Sequence, residues 1–359
     1  MTTQEIETPA LMVDLDRMEA NLERMAAFFR TVPAKLRPHF KNLRCPALAA
    51  RQLDAGAIGI TCATLNEAEC LVEHGVHSIL LANEIVDPAK ILRFVELARQ
   101  ADILMCADNE KVADELARAA RNRQTAVSVL VDVNVGLNRC GVPPGEPALL
   151  LARAVLEKGL RFRGLMGYEG HLSRKLPGPE KETAVAAAMG PLLETRMCLE
   201  RLGITVEIVS VGGTGTYSIS GRLHGVTEIQ AGSYLLMDTD YRKCCQDFDL
   251  TLTVLAAAIS KTDGERIVVD AGLKTLSCER GLPTIKHPPG LSVRRLTAEH
   301  GIIELEDPEA AVDVGDKVEI WVHYSDATVS LHQRMYGIRN GNVEEVFQLN
   351  SRCRGQNIA

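Results

Sequence analysis

The sequence predicts an α/β protein, a (β/α)8 TIM-like barrel joined to an antiparallel β domain, on three observations. From residue 35 to about residue 230, short apolar runs alternate with amphipathic segments, the sequence form of repeated βα units around a parallel sheet. The run 126–133 is almost wholly β-branched or leucine, as suits a strand covered on both faces. Around residues 237–249 the rhythm changes, and the later apolar runs are separated by turn residues with little helical periodicity. Counting 36–42 as the first strand gives eight strands in about 200 residues, the number and length of a (β/α)8 barrel. An open doubly wound sheet is the competing arrangement, because the count rests on short elements.

In order along the chain, Leu15, Met18, Leu22, Met25, Ala26 and Phe29 recur at helical spacing after a capping Asp14 or Asp16, and Pro33 ends that helix. Strands are expected at 36–42, 59–64, 78–83, 102–107, 126–133, 162–168, 206–211 and 227–230. Helices are expected at 66–74, 88–99, 109–121 with Asn109 as cap, 147–158 and 180–202. The β domain contains TLTVLAAAIS, ERIVVDAG, DKVEIWVHY and NVEEVFQL, and Asn340-Gly341 marks a tight hairpin between 334–339 and 342–349. The expected division is a barrel over 26–240, with 1–25 and 241–359 forming the second domain.

The 359 residues are 46% hydrophobic and 24% charged, the composition of a soluble globular protein. A net charge of -7 without a polybasic run argues against nucleic acid and acidic membranes as partners. No signal-peptide pattern opens the chain, and nowhere do about 18 apolar residues follow one another, so a cytoplasmic protein is expected. Ten cysteines show no C-x-x-C pair or finger spacing, which suits scattered reduced thiols. Cys45, Cys140 and Cys353 each neighbour an arginine, where a lowered thiol pKa competes with simple packing as the reading.

The stretch LRPHFKN at 36–42 alternates apolar residues with Arg37, His39 and Lys41, and a strand there sends the three polar groups to one face. Two buried cations beside an imidazole need partners, which an anionic carbonyl ligand supplies. Crowding and a neighbouring cation lower a lysine's pKa, and neutral Lys41 is a nucleophile toward an aldehyde. Gly212-Gly213-Thr214-Gly215-Thr216 follows a late strand, where backbone N–H groups and hydroxyls suit a phosphate; three glycines also make an ordinary tight loop. Gly232 and Ser233 follow the next strand and complete such a cradle. Tyr168, Glu169 and His171 end another strand, and Arg139 follows a third; alone, the first group reads as a loop with a satisfied histidine and Arg139 as one half of a local ion pair. Their shared position at strand C-termini, the face where barrel sites assemble, favours function.

Those residues carry a resemblance. TPALMVDLD, RPHFKN, GAIGITCAT, NRCGV, GLMGYEGH, GGTGTY, TEIQAGSY, DAGLK and DATVSLH together make the chain similar to fold-type III pyridoxal-phosphate enzymes of the D-threonine aldolase, 3-hydroxy-D-aspartate aldolase and D-serine dehydratase family. The resemblance implies an alanine-racemase-like barrel holding pyridoxal 5'-phosphate, a β domain made from both chain ends, and a homodimer. It puts Lys41 at the Schiff-base lysine position, Arg139 and Tyr168 at cofactor contacts, and the Gly213 loop with Gly232 and Ser233 at the phosphate. It also implies a divalent cation, Mg²⁺ or Mn²⁺, held by the first and third residues of a His-Cys-Asp triplet. Here that triplet is Tyr324-Ser325-Asp326, which keeps Asp326, replaces the histidine and leaves His323 one residue early. On a strand one step turns the imidazole to the other face, although a bulge restores it. Leu43-Arg44 departs from the family in the same way after RPHFKN.

The expected reaction is cleavage of the Cα–Cβ bond of a D-3-hydroxy amino acid to glycine and an aldehyde, with His171, then His39, then His323 and Tyr324 as candidates for the base. Racemisation or dehydration, and cofactor binding without turnover, are the alternatives.

Overall fold

The computed structural model describes residues 1–261, 266–307 and 312–349. Strand β1 (Ala10–Asp14) leads directly into helix α1 (Leu15–Thr31), whose first turn is capped by Asp14 Oδ1 accepting from the Arg17 N–H at 3.1 Å. The described residues then divide into two compact units: 25–41 with 48–232, and 1–24 with 42–47 and those of 233–349.

The first unit alternates strand and helix: β2 (Lys35–Leu36), α2 (Pro46–Asp54), β3 (Ile60–Cys62), α3 (Leu65–Glu73), β4 (Ser78–Leu81), α4 (Pro88–Leu97), β5 (Asp102–Ala107) and α5 (Glu110–Asn122). It continues with β6 (Ser128–Asp132), α6 (Glu146–Glu157), β7 (Arg161–Gly167), α7 (Pro179–Arg201), β8 (Ile208–Val211), α8 (Tyr217–Ser220) and β9 (Glu228–Ile229). Its parallel strands run β2-β9-β8-β7-β6-β5-β4-β3. The two ends meet where the Ile58 and Thr61 N–H groups donate to the Leu36 and Pro38 carbonyls, both at 2.9 Å, so the sheet closes and the open arrangement is excluded. Leu80, Leu104, Cys106, Leu130, Met166 and Ile208, drawn from β4 to β8, fill one interior cluster. Asn109 caps α5 through Val112 N–H, as its position after an extended run predicts.

Two expectations change here. The run 36–42 is not a strand throughout: β2 ends at Leu36, Pro38 has no N–H to give a ladder, and Phe40–Asn42 forms a 3-10 turn. Helix α2, which the sequence reading left out, follows that turn.

The second unit is a mixed sheet. Besides β1 it contains α9 (Thr239–Arg242), β10 (Leu252–Ser260), β11 (Arg266–Val269), β12 (Thr284–His287), β13 (Leu291–Leu296), β14 (Gly301–Leu305) and β15 (Lys317–Trp321). Helix α10 (Ser325–Val329) and strands β16 (Arg334–Arg339) and β17 (Asn342–Gln348) complete it. The main path is β13-β14-β11-β10-β1-β16-β17, with β15 between β10 and β12. Neighbours are antiparallel, as expected, except that β1 lies parallel to β16. That exception was not legible, because 10–14 carries no turn signal tying it to a strand some 320 residues later in the chain. Asn340 and Gly341 both take positive φ, 51° and 74°, and make the expected hairpin turn between β16 and β17.

Candidate active site

At the C-terminal end of β2 the side chains separate by role. Arg37 is buried and its Nε donates to both Glu228 oxygens on β9 at 3.0 Å, while its guanidinium also reaches Ser78 Oγ at 2.9 Å. Gly59 leaves room for it: a Cβ there would lie 2.2 Å from the guanidinium. This cation is therefore structural and is not presented to a ligand, contrary to the shared face expected of a continuous strand. His39 and Lys41 occupy the following turn, where the Lys41 N–H faces His39 Nδ1 at 3.4 Å. Burial, then the charges of Lys41 and Arg139, hold the His39 imidazole well below its usual pKa and so neutral.

Arg139 is presented by the loop after β6. Asn134 Oδ1 accepts from the Gly136 and Asn138 N–H groups at 2.9 and 3.1 Å, and Val133 bridges Val142 at the loop base. The Arg139 guanidinium stands 5.7 Å from the Tyr168 ring centroid. A Cβ on Gly213 would lie 3.4 Å from Tyr168 Cε2, an ordinary contact distance, so the ring lies beside the glycine turn. Glu169, fully buried, accepts from the Gly212 N–H at 3.0 Å and from Ser220 Oγ at 2.5 Å, fixing the turn to β7. Gly212 takes a φ of +75°, and a Cβ on Gly215 would meet the Ser173 carbonyl at 1.9 Å, so neither position admits a side chain without a shift. Thr214 and Thr216 are buried, and Thr216 Oγ1 accepts from the Gly213 N–H at 3.3 Å. His171 is exposed, its imidazole against Gly136 in the Arg139 loop.

Sequence reasoning missed an acidic group beside Arg139. Asp132 ends β6, Asp108 directly follows β5 and Glu84 lies in the loop after β4, and Glu84, Asp108 and Cys140 bring one ligand atom each within 4.8 Å of one another. Burial first, then the hydrogen-bonded Glu84 carboxyl, push Asp132 up to about 8, against the opposing pull of Arg139. The same acids raise the Cys140 thiol, after burial, so its arginine neighbour does not make it reactive. Cys45 is buried, and Cys353 lies outside the described residues. Carboxylates at the ends of three successive strands are the signal that would have found this group.

In the mixed-sheet unit, Asn42, the residue after Lys41, donates from Nδ2 to Ser233 Oγ at 2.7 Å and to Asp326. Asp238, buried at the start of α9, accepts from the Ser325 N–H at 2.7 Å and from Ser325 Oγ at 2.6 Å. Tyr324 lies beneath the Arg280 guanidinium, 4.9 Å from ring centroid to Cζ. His323 is buried between Thr239 Oγ1 at 2.6 Å from Nδ1 and the Arg280 carbonyl at 3.3 Å from Nε2. Strand β15 ends at Trp321, so the triplet sits in a turn into α10 and its side chains do not alternate between strand faces. A cavity of about 690 Å³ belongs to this unit too, but it lies along β1, β10 and β15 and contains none of these residues.

A lysine amine, a neutral imidazole, an arginine stacked on a tyrosine, and a glycine turn too tight for side chains at the strand ends of a closed barrel fit a phosphorylated aromatic aldehyde. The fold and this donor set define the class of alanine-racemase-like barrel enzymes. The sequence profile described as "Alanine racemase, N-terminal domain" matches residues 13–240, and that described as "Putative serine dehydratase domain" matches 251–338. A D-threonine aldolase of Arthrobacter sp is 35% identical over 97% of this chain and 93% of its own. A 3-hydroxy-D-aspartate aldolase of Paracoccus denitrificans (strain Pd 1222) is 30% identical over 99% and 94%. The crystal structure of D-threonine aldolase from Filomicrobium marinum superposes with a TM-score of 0.95 at 35% identity, covering 98% of this chain and 97% of that one. The chain belongs to this family, the pyridoxal-phosphate-dependent D-threonine aldolases, 3-hydroxy-D-aspartate aldolases and serine dehydratases built on the alanine-racemase barrel.

Proposed function

We propose that the protein is a pyridoxal-phosphate-dependent aldolase that cleaves the Cα–Cβ bond of a D-3-hydroxy-α-amino acid of the D-threonine or 3-hydroxyaspartate type, giving glycine and an aldehyde. Two full-length aldolase relatives support it, and the observation that carries it is the Lys41 turn with neutral His39 beside it and Arg139 in reach. When bound, the cofactor supplies an electron sink for the pair released from the broken bond.

The chain's own residues do the rest. Lys41 would hold the cofactor covalently through its amine. Arg139 and Tyr168 orient the ring, while Gly213, Thr214, Gly215, Thr216, Gly232 and Ser233 hold the phosphate through N–H and O–H donors. His39 accepts at Nδ1 and therefore carries its proton on Nε2, a donor and not a base. His323 has both nitrogens engaged. Of the three imidazoles, His171 is left as the base for the β-hydroxyl proton, with the Tyr324 phenol as the alternative. A homodimer in the cytoplasm is part of the same reading; among the described residues no helix is long and apolar enough to cross a membrane.

A product screen of the purified holoenzyme with D-threonine, D-3-hydroxyaspartate, D-serine and D-alanine tests the reading. Glycine plus an aldehyde is expected. A keto acid with ammonia supports instead a dehydratase, the reading favoured by the match over 251–338, and a stereoisomer supports a racemase.

A further inference from the structure

The resemblance brings with it a divalent cation held at positions 324 and 326, and the donor set at this turn does not fit one. A divalent ion needs several lone pairs converging at about 2.0–2.6 Å. His323 has none to give. The Arg280 carbonyl can only accept, so His323 Nε2 carries the proton and the Nδ1 lone pair takes the Thr239 hydroxyl at 2.6 Å. Ser325 is turned away, its N–H and Oγ donating to Asp238 Oδ2 at 2.7 and 2.6 Å, while Asp238 Oδ1 accepts from the Tyr241 N–H at 2.8 Å. Tyr324 presents a phenol, which must shed a proton before it binds a cation strongly, where the resemblance has an imidazole. The Arg280 guanidinium, 4.9 Å from the centre of that ring, adds a positive charge that repels a second cation. Among the described residues, no three His, Cys, Asp or Glu ligand atoms converge at this turn; the group that does converge, Glu84, Asp108 and Cys140, belongs to the barrel unit.

Asp326, the carboxylate that the resemblance assigns to the cation, is already in use. Asn42 is buried, and both N–H groups of its amide are bound, one to Ser233 Oγ at 2.7 Å and the other to Asp326 Oδ1. Turning the amide over would set its oxygen against the carboxylate, so Asp326 selects the orientation seen. Without that acceptor a buried N–H would be left unmatched, which costs more than the bond itself contributes. Residues 42, 233, 238, 239, 241, 280 and 323–326 all belong to the mixed-sheet unit, so the network is internal to it.

We propose that this turn takes no divalent cation, and that Asp326 serves instead as the hydrogen-bond acceptor that fixes the buried Asn42 amide. The inference goes beyond the aldolase reading and does not depend on it: whichever bond the holoenzyme breaks, it does so without an ion at 324–326.

The test separates an acceptor from a metal ligand by the choice of substituent. Asp326→Asn keeps a carbonyl oxygen for the Asn42 N–H but removes the charge that a divalent ion needs, whereas Asp326→Ala removes both. Wild-type and variant holoenzymes are unfolded in denaturant with circular dichroism as the readout. Each is also titrated with Mn²⁺ after chelation, the free ion being counted by electron paramagnetic resonance. The wild type is expected to hold no Mn²⁺ at this turn, Asp326→Ala to lower the unfolding midpoint, and Asp326→Asn to stay closer to the wild type than to Asp326→Ala. An ion held equally by the wild type and Asp326→Asn lies elsewhere and leaves the turn as proposed. One Mn²⁺ per wild-type chain that is lost in Asp326→Asn overturns the proposal, as does a midpoint that falls equally in both variants or in neither. If Asp326→Ala does not fold, the Mn²⁺ titration of the wild type and Asp326→Asn decides alone. No glycine release in the product screen, with these results intact, would contradict the aldolase reading and leave this one standing.

Discussion

Buried charge in the barrel is neutralised by the protein itself. Arg37 and Glu228 are separated by 191 residues, yet they form a buried pair. Removing one partner leaves the other charge uncompensated, so Glu228→Ala should lower unfolding free energy by about 3–5 kcal/mol, read from a denaturant midpoint. Reading 36–42 as a strand put Arg37 in the site, because a carboxylate so distant in sequence leaves no local mark. Lys41, His39, Arg139 and Tyr168 were singled out by their place after barrel strands, and the structure has Tyr168 directly after β7, His39 and Lys41 in the turn after β2 and Arg139 in the loop after β6; the Glu84 and Asp132 pair was not singled out, because a lone acid near a strand end looks like any surface carboxylate. Asp132 gives a pH signature. Its folded pKa of about 8 exceeds its unfolded value of about 3.9, so between those two pH values the folded state binds more protons and its stability falls as pH rises. Asp132→Asn should flatten that part of a stability-versus-pH curve. His39 acts in the opposite sense at lower pH: its depressed pKa makes stability fall as pH drops through the unfolded imidazole value near 6.5.

On the proposed function, cofactor retention depends on the glycine turn between β8 and α8. Gly215→Ala places a Cβ 1.9 Å from the Ser173 carbonyl, a backbone atom that cannot swing aside. The turn must shift, and the expected result is weaker binding of pyridoxal phosphate, measured by equilibrium dialysis, with the far-ultraviolet circular dichroism of the wild type retained. A variant with undiminished cofactor affinity would show that the turn does not hold the phosphate. Elements with local signals were readable in the sequence: β5 at 102–107, α5 behind its Asn109 cap, and the β16–β17 hairpin at Asn340-Gly341. Elements defined by distant partners were not. β1 needs β10 and β16 beside it, and the 324–326 turn takes its shape from Asp238, Thr239 and Asn42.

At the scale of the whole chain, strands as far apart in sequence as β1 and β17 contribute to one mixed sheet. β1 lies between β10 and β16, so deleting residues 1–14 removes the strand that joins the β16–β17 hairpin to the rest of that sheet. The expected outcome is loss of that unit's cooperative unfolding transition, seen by calorimetry, and not the mild change usual for trimming a terminus. The alternation of strand and helix was sufficient to read the barrel, because each βα unit is local; the mixed sheet was read only as a series of strands, because its order depends on pairings remote in sequence.

The claim on which the account depends is that Lys41 carries the cofactor. Reducing the pyridoxal-phosphate-loaded protein with borohydride, digesting it and mapping the pyridoxyl group by mass spectrometry tests this directly. The account predicts the label on the peptide containing Lys41 and on no other lysine. A label elsewhere, or a protein that takes up none, would contradict it.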